Sequence, residues 1–328
     1  MKRTILAGLL IGLAGAAGHP AAALAQQKAG DYPARPVRII VPQSPGASTD
    51  LTARLIAQRL ADAFKQPVVV DNRPGAGTIS GTEIVARATP DGYTLLVVAS
   101  SITINPSIYK KLPYDPVRDF APVTQLLTFP NLIVAHPSVP VKTLQDLLAL
   151  ARAKPGELNY ASAGRGTGTH MSAELLKTMT GIDIVQVPYK GGGPAITAIL
   201  GGQVQLNVGT IVALLPHVRS GKLRAIAVTT AKRSAAAPDI PTVAESGVPG
   251  YDHGPWNGLF APGKAPKAVV AKINAEVVRV LRSPEFSTVV AKQGAETVGN
   301  SPGEFASVVK SEIAKWAKVV KAAGIRAE

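Results

Sequence analysis

Val37-Arg38-Ile39-Ile40-Val41-Pro42-Gln43-Ser44-Pro45-Gly46-Ala47-Ser48-Thr49-Asp50 is the stretch that decides the fold. Its first five residues are apolar and β-branched except for Arg38, which reads as a strand. A Pro/Ser/Gly turn over Pro42–Ser48 follows, and then a helix expected from about Thr49 to Phe64. Leu51, Leu55, Ile56 and Leu60 give that helix one apolar stripe. The same unit recurs downstream. Pro67–Val70 reads as a strand, Asn72–Gly77 as its turn and Thr82–Ala88 as a short helix, before a third strand at Thr94–Ala99 ends in Ser100-Ser101. Repeated strand, turn and helix predict an α/β fold with a parallel sheet and helices on its faces.

The pattern changes at Val123–Val134, an apolar run interrupted by Pro130 and long for one ordinary strand. It is read as a segment leaving one sheet and entering another. A second α/β set follows, with helices at Leu144–Ala153, His170–Thr180 and Pro194–Leu200. Its strands are expected at Asn159–Ser162, Ile184–Val187, Val204–Val208 and Leu223–Val228, with Trp256–Ala261 as the return crossing. The last helix opens on Ser301, Pro302 and Glu304, an N-cap, a first-turn proline and a capping box. Phe305, Val309, Ile313, Trp316 and Val320 form its stripe, expected to pack on the first domain.

Composition bounds the function. The 328 residues suggest two domains, and 31 Gly with 27 Pro fall short of a low-complexity chain. Zero cysteine excludes a disulfide framework, thiol catalysis, iron–sulfur ligation and a lipidated N-terminal cysteine. Lys2-Arg3, the apolar Ile5–Ala17 and the Ala23-Leu24-Ala25 site form a secretory leader over residues 1–25, too short to span a membrane. A soluble periplasmic protein beginning near Gln26 is expected. Net charge is +14, or +12 without Lys2 and Arg3. That balance favours anions. The Lys and Arg residues are scattered and seldom interleaved with aromatics, so no nucleic-acid partner is expected.

Four turns border strands and lead to helix starts: Pro45–Asp50, Pro74–Thr78, Ser162–His170 and Lys190–Pro194. Helix N-termini offer unpaired N–H groups and a partial positive charge, and in open α/β sheets ligands gather at the carboxyl ends of strands. The four turns therefore point to a cleft. Gly75-Ala76-Gly77 with Gly81 imitates a dinucleotide loop, but the next strand ends in Ala99-Ser100-Ser101 with no acid for a ribose. Neither a Walker A sequence nor a GxSxG elbow occurs. His170 and Glu174, four apart, could face one metal, yet no third ligand is nominated. No cofactor and no metal are expected; an exported hydrolase or a cofactor-dependent enzyme are the competing readings.

At these segments the chain resembles the Bug family, the TctC-like extracytoplasmic solute-binding proteins of tripartite tricarboxylate transporters. The resemblance rests on Val70-Asp71-Asn72-Arg73-Pro74-Gly75-Ala76-Gly77, Pro90-Asp91-Gly92-Tyr93-Thr94-Leu95-Leu96 and Leu112-Pro113-Tyr114-Asp115-Pro116. It continues through Val187-Pro188-Tyr189-Lys190-Gly191, Leu200-Gly201-Gly202-Gln203-Val204 and Pro241-Thr242-Val243-Ala244-Glu245-Ser246-Gly247. It implies a two-lobed type II periplasmic-binding-protein fold with a two-strand hinge, residues 26–127 plus 256–328 forming lobe 1 and 128–255 lobe 2. It further implies a non-enzymatic, monomeric protein that closes on a small carboxylate, aliphatic, aromatic or nicotinate-like, and presents it to membrane transporter subunits.

The ligand is expected between Gly46-Ala47-Ser48-Thr49-Asp50 and Gly164-Arg165-Gly166-Thr167-Gly168-Thr169. Thr78, Ser100, Ser162, His170, Tyr189, Gly209 and Thr210 complete the candidate set. Several positions depart from the family pattern. Gly46-Ala47 stands where Pro-Gly-Gly is usual, Arg165 where Asn is frequent, and Thr197 where Asp is frequent. Gln205-Leu206-Asn207-Val208-Gly209 lacks both usual aspartates. An acid at 209 would pair with a ligand amine, so a ligand without an essential cation is expected, either anionic throughout or carrying a bulky neutral ring.

Overall fold

The structure, a computed structural model, describes residues 32–325 except 76, 77, 190 and 293. The leader expected at 1–25 lies outside the described residues. Two sheets stand within the unit that begins at Pro33. The opening stretch folds as read, with β1 at Val37–Val41 and α1 at Ser48–Phe64. β2 (Val68–Asn72), α2 (Ile79–Ala86), β3 (Thr94–Ala99), α3 (Ser101–Ile108) and β4 (Phe120–Thr128) follow. β1 pairs in parallel with both β2 and β3.

The apolar run around Pro130 is two strands. β4 belongs to the six-stranded sheet, ordered β11-β4-β10-β3-β1-β2, and β5 (Asn131–Ala135) belongs to the five-stranded one. The second set contains α4 (Leu144–Ala153), β6 (Asn159–Ser162), α5 (Gly168–Thr180), β7 (Val185–Pro188) and α6 (Gly192–Leu200). β8 (Leu206–Thr210), α7 (Ile211–Arg219) and β9 (Arg224–Val228) complete it, in the sheet order β7-β6-β8-β5-β9. β10 (Trp256–Pro262) returns to the first sheet, followed by α8 (Lys267–Leu281), α9 (Pro284–Lys292), β11 (Glu296–Thr297) and α10 (Pro302–Ala323).

Neither sheet is wholly parallel, which corrects the expectation. β10 runs antiparallel to β3 and β4, and β5 antiparallel to β8 and β9. Connectivity is the reason. β5 and β10 each receive the chain from the other sheet, so they start where neighbouring strands such as β8 and β3 finish. The two crossings touch: Phe129 N–H donates to Pro255 O at 2.7 Å. A Cβ on Gly168, at the start of α5, would collide with the Pro255 ring, so that helix end seats directly on the return crossing.

The last helix also departs from expectation. Its capping box forms, with Ser301 and Glu304 satisfying one another's backbone N–H groups. Twenty-two residues rise about 33 Å at 1.5 Å each, more than one layer covers. Phe305 and Val309 join the core of the first sheet with Ile40, Leu96 and Trp256. Trp316, Val319 and Val320 join the other core, with Tyr160, Met171 and Tyr251. Between them Glu312, nearly buried, accepts from Trp256 Nε1 at 2.9 Å and from Thr103 Oγ1 at 3.0 Å.

Candidate functional site

The first turn is held from below. Asp50 is buried, and its carboxylate accepts from Gly46 N–H at 2.8 Å, Arg54 Nε at 3.0 Å and Asn72 Nδ2 at 2.9 Å. Burial pushes the Asp50 carboxyl up, but these hydrogen bonds and the Arg54 charge outweigh it and hold it below the ordinary range. Thr49 is likewise buried, donating to Asn257 Oδ1 at 3.1 Å. With those two occupied, Ser48 at the head of α1 is left facing the cleft. At α2 the N-cap is Thr78, with φ +80, a left-handed conformation that costs a β-branched residue on the order of 1–3 kcal/mol. Thr82 Oγ1 donates to Thr78 O at 2.8 Å and Asn105 Nδ2 to Thr78 Oγ1 at 3.4 Å, which fixes the strained residue.

The glycine loop before α5 braces itself. Thr167 Oγ1 donates to Gly164 O at 2.7 Å, and Thr169 Oγ1 accepts from Ala163 N–H at 3.0 Å. Ser162 is buried behind the loop and accepts from Gln186 Nε2 at 2.8 Å. His170 does not face the cleft. Its Nδ1 accepts from Gly166 N–H at 3.0 Å, and its Nε2 lies 3.7 Å from Glu174 Oε1. Burial drives the imidazole down to about 4, with Lys177 and Arg165 acting in the same sense and Glu174 opposing. A neutral ring is what an Nδ1 acceptor requires. Glu174 in turn accepts from Tyr160 OH at 2.8 Å and Lys177 Nζ at 3.0 Å. Among the described residues no three metal-ligating side chains gather.

His170→Leu should therefore loosen the loop and weaken anion binding about tenfold, the worth of one hydrogen bond. His170→Asn puts Oδ1 near the position of Nδ1 and should restore most of the affinity. Calorimetry with any binding acid reads the difference, and equal affinities for the two variants would refute this role.

These turns surround one cavity of about 640 Å³, within the range of small-molecule sites. Of the candidate residues, Ser48, Thr78, Ser100, Arg165, Gly166, Thr167, Gly168, Thr169 and Thr210 line it. Gly46, Ala47, Thr49, Asp50, Ser162, Gly164, His170, Tyr189 and Gly209 do not, and mostly support those that do. Tyr189 N–H donates to Ser162 O and Gly191 N–H to Ala163 O, so these two residues back the third loop. Five helices, α1, α2, α3, α5 and α7, point their N-termini at this space through Ser48, Thr78, Ser100, Thr167 and Thr210. Arg165 is the only charged residue among the described lining residues.

Sequence reasoning misses Gln43, Asn105, Asn131 and Asn257, which also line the cavity. Gln43 Oε1 and Asn131 Oδ1 are buried with no partner among the described residues. Their one sequence signal is position, just past a strand or at the head of one. Gly209 is not among the lining residues, and a Cβ there would lie 2.9 Å from Asn207 Oδ1 and 3.0 Å from Leu214 Cδ1. Gly209→Asp should thus lower stability by about 2 kcal/mol or more through crowding and a poorly solvated charge. Ligand affinity of the folded protein should not change; a tenfold loss in calorimetry would return position 209 to the site.

Residues 52–325 match the model of a family described as tripartite tricarboxylate transporter family receptor. The protein BugT of Bordetella pertussis is 37% identical over 321 residues, 97% of this chain and 96% of its own length. Among solved structures, an R. palustris protein with adipate is 39% identical at a TM-score of 0.75, covering 90% of this chain and 100% of that one. MatC from Rhodopseudomonas palustris with bound malate is 36% identical at a TM-score of 0.71, covering 88% of this chain and 100% of its own.

Proposed function

Because the chain belongs to the tripartite tricarboxylate transporter receptor family, whose members are solute-binding proteins and not enzymes, we propose that it captures a small carboxylate in the periplasm for such a transporter. The observation that carries this reading is the convergence of five helix N-termini on a cavity whose lining includes no acidic side chain among the described residues. Each helix end contributes roughly half a positive charge and unpaired N–H groups, which suits an anion. Arg165 adds a guanidinium at the second loop. In this reading the leader is cleaved near Ala25 and the monomer closes its two lobes about the crossings at Phe129-Pro130 and Gly254-Pro255. The loaded form then meets the membrane subunits.

The test begins with a mass spectrum of whatever co-purifies with the native protein, followed by a melting screen of mono- and dicarboxylates, aromatic acids and nicotinate. At a hundredfold excess over Kd a native-state ligand adds about 2.7 kcal/mol. For a chain of this size that raises the midpoint by roughly 5–10 °C. If nucleotides or divalent metals alone raise it, the reading fails.

A further inference from the structure

The lining of the cavity is partly polar and partly apolar. Its apolar part is made by Ile104 and Ile108 of α3, Phe129 of the crossing and Ile325, with the Tyr109 ring just beyond α3. Ile325 is delivered by the cap of α10: Gly324 takes φ +63, and Ile325 N–H donates back to Val320 O at 3.1 Å. The wall is backed by packed side chains, since Ile104 is buried and Ile108 and Ile325 pack against the same core as Tyr160 and Met171. It adjoins the anion loop as well. Ile108 Cδ1 sits 3.3 Å from where a Cβ on Gly166 would lie.

We infer that the acid carried here is amphipathic, with one carboxylate at the helix ends and an uncharged aryl or alkyl body against the isoleucine wall. The inference rests on the reading of this cavity as a carboxylate site and narrows it. A second carboxylate against those isoleucines would shed its water with one side-chain hydroxyl, that of Tyr109, in the wall to replace it. A methylene in the same place gains about fourfold in affinity. The isoleucine side chains themselves disfavour a second carboxylate.

Calorimetric titration of the whole protein with two series of acids tests this. One series is straight-chain monocarboxylates and phenylalkanoates of increasing length; the other is the dicarboxylates of matching length. Affinity should climb about fourfold per methylene in the first series until the cavity is full. Each dicarboxylate should bind at least about tenfold more weakly than its monocarboxylate counterpart. Ile325→Lys should reverse that order. Dicarboxylates that bind as well as their counterparts, a flat monocarboxylate series, or an unchanged preference in Ile325→Lys would overturn the inference and leave the carboxylate reading standing. Binding by neither series would overturn both.

Discussion

Acidifying the protein from about pH 7.5 to about pH 4.5 is expected to remove on the order of 5 kcal/mol of stability and to lower its melting midpoint by roughly 10–20 °C. Two buried histidines are responsible. Burial brings His170 down to about 4 and His253 to about 3 from an ordinary 6.5, with the Lys315 ammonium adding to the effect at His253. Both are neutral in the native state, whereas the unfolded chain binds their protons below about 6.5. Stability is therefore complete above that pH and falls as the unfolded state protonates, each histidine contributing about 2–3 kcal/mol by pH 4.5. The carboxylates held low, such as Asp50 and Asp71, start from 3.8 and add their loss mainly below this window. Thermal or urea midpoints across the range provide the measurement, and His253→Gln should remove about half of the slope. A midpoint that stays flat from pH 7.5 to 4.5 would show that neither ring is held neutral by burial.

Trp316→Ala is expected to cost about 3–5 kcal/mol, a fall of roughly 10 °C in midpoint. The indole is fully buried, packs edge-on against His253 with centroids 4.5 Å apart, and joins α10 to the core that holds Tyr160 and Met171. Its loss leaves a cavity that two packed faces cannot easily close. Phe305→Ala should cost a similar amount through the other core, where that ring lies 5.2 Å from Trp256 and 4.9 Å from Phe260. Hydrogen exchange separates the two variants. Trp316→Ala should expose amides near Tyr160 and Met171, and Phe305→Ala those near Leu96 and Phe260. A loss below about 1 kcal/mol for Trp316→Ala would contradict the bridging role of the helix.

The units with regular punctuation were legible in the sequence. β1, β3, α4 and β6 fall on the residues their patterns predict, because short apolar runs bounded by turn residues mark the strands and apolar periodicity marks the helix. The crossing at Pro130 was legible for a related reason: proline donates no N–H and breaks a run that no single strand could fill. Helices α3 and α7 were not read, since Pro106 and Pro216 sit inside them and argue locally against helix. Their packing overrides that preference. Strand direction and the reach of α10 depend on which end of a sheet the chain enters, which local periodicity does not encode. At the site, turn chemistry identified the helix ends. It could not separate residues that face the cavity from those that brace them, because whether a polar side chain is occupied depends on tertiary neighbours: Asp50, Ser162 and His170 accept from Gly46, Gln186 and Gly166.

The cavity's positive field is built almost entirely from groups that hold no exchangeable charge. Peptide dipoles, serine and threonine hydroxyls and amide side chains keep the same state from about pH 5 to about pH 9. Over that span the cavity does not sense acidity at its surface, and in the proposed reading its occupancy tracks the ionisation of the acid. A pocket wired from the backbone holds its field until the buried histidines undo the fold that aims the helices.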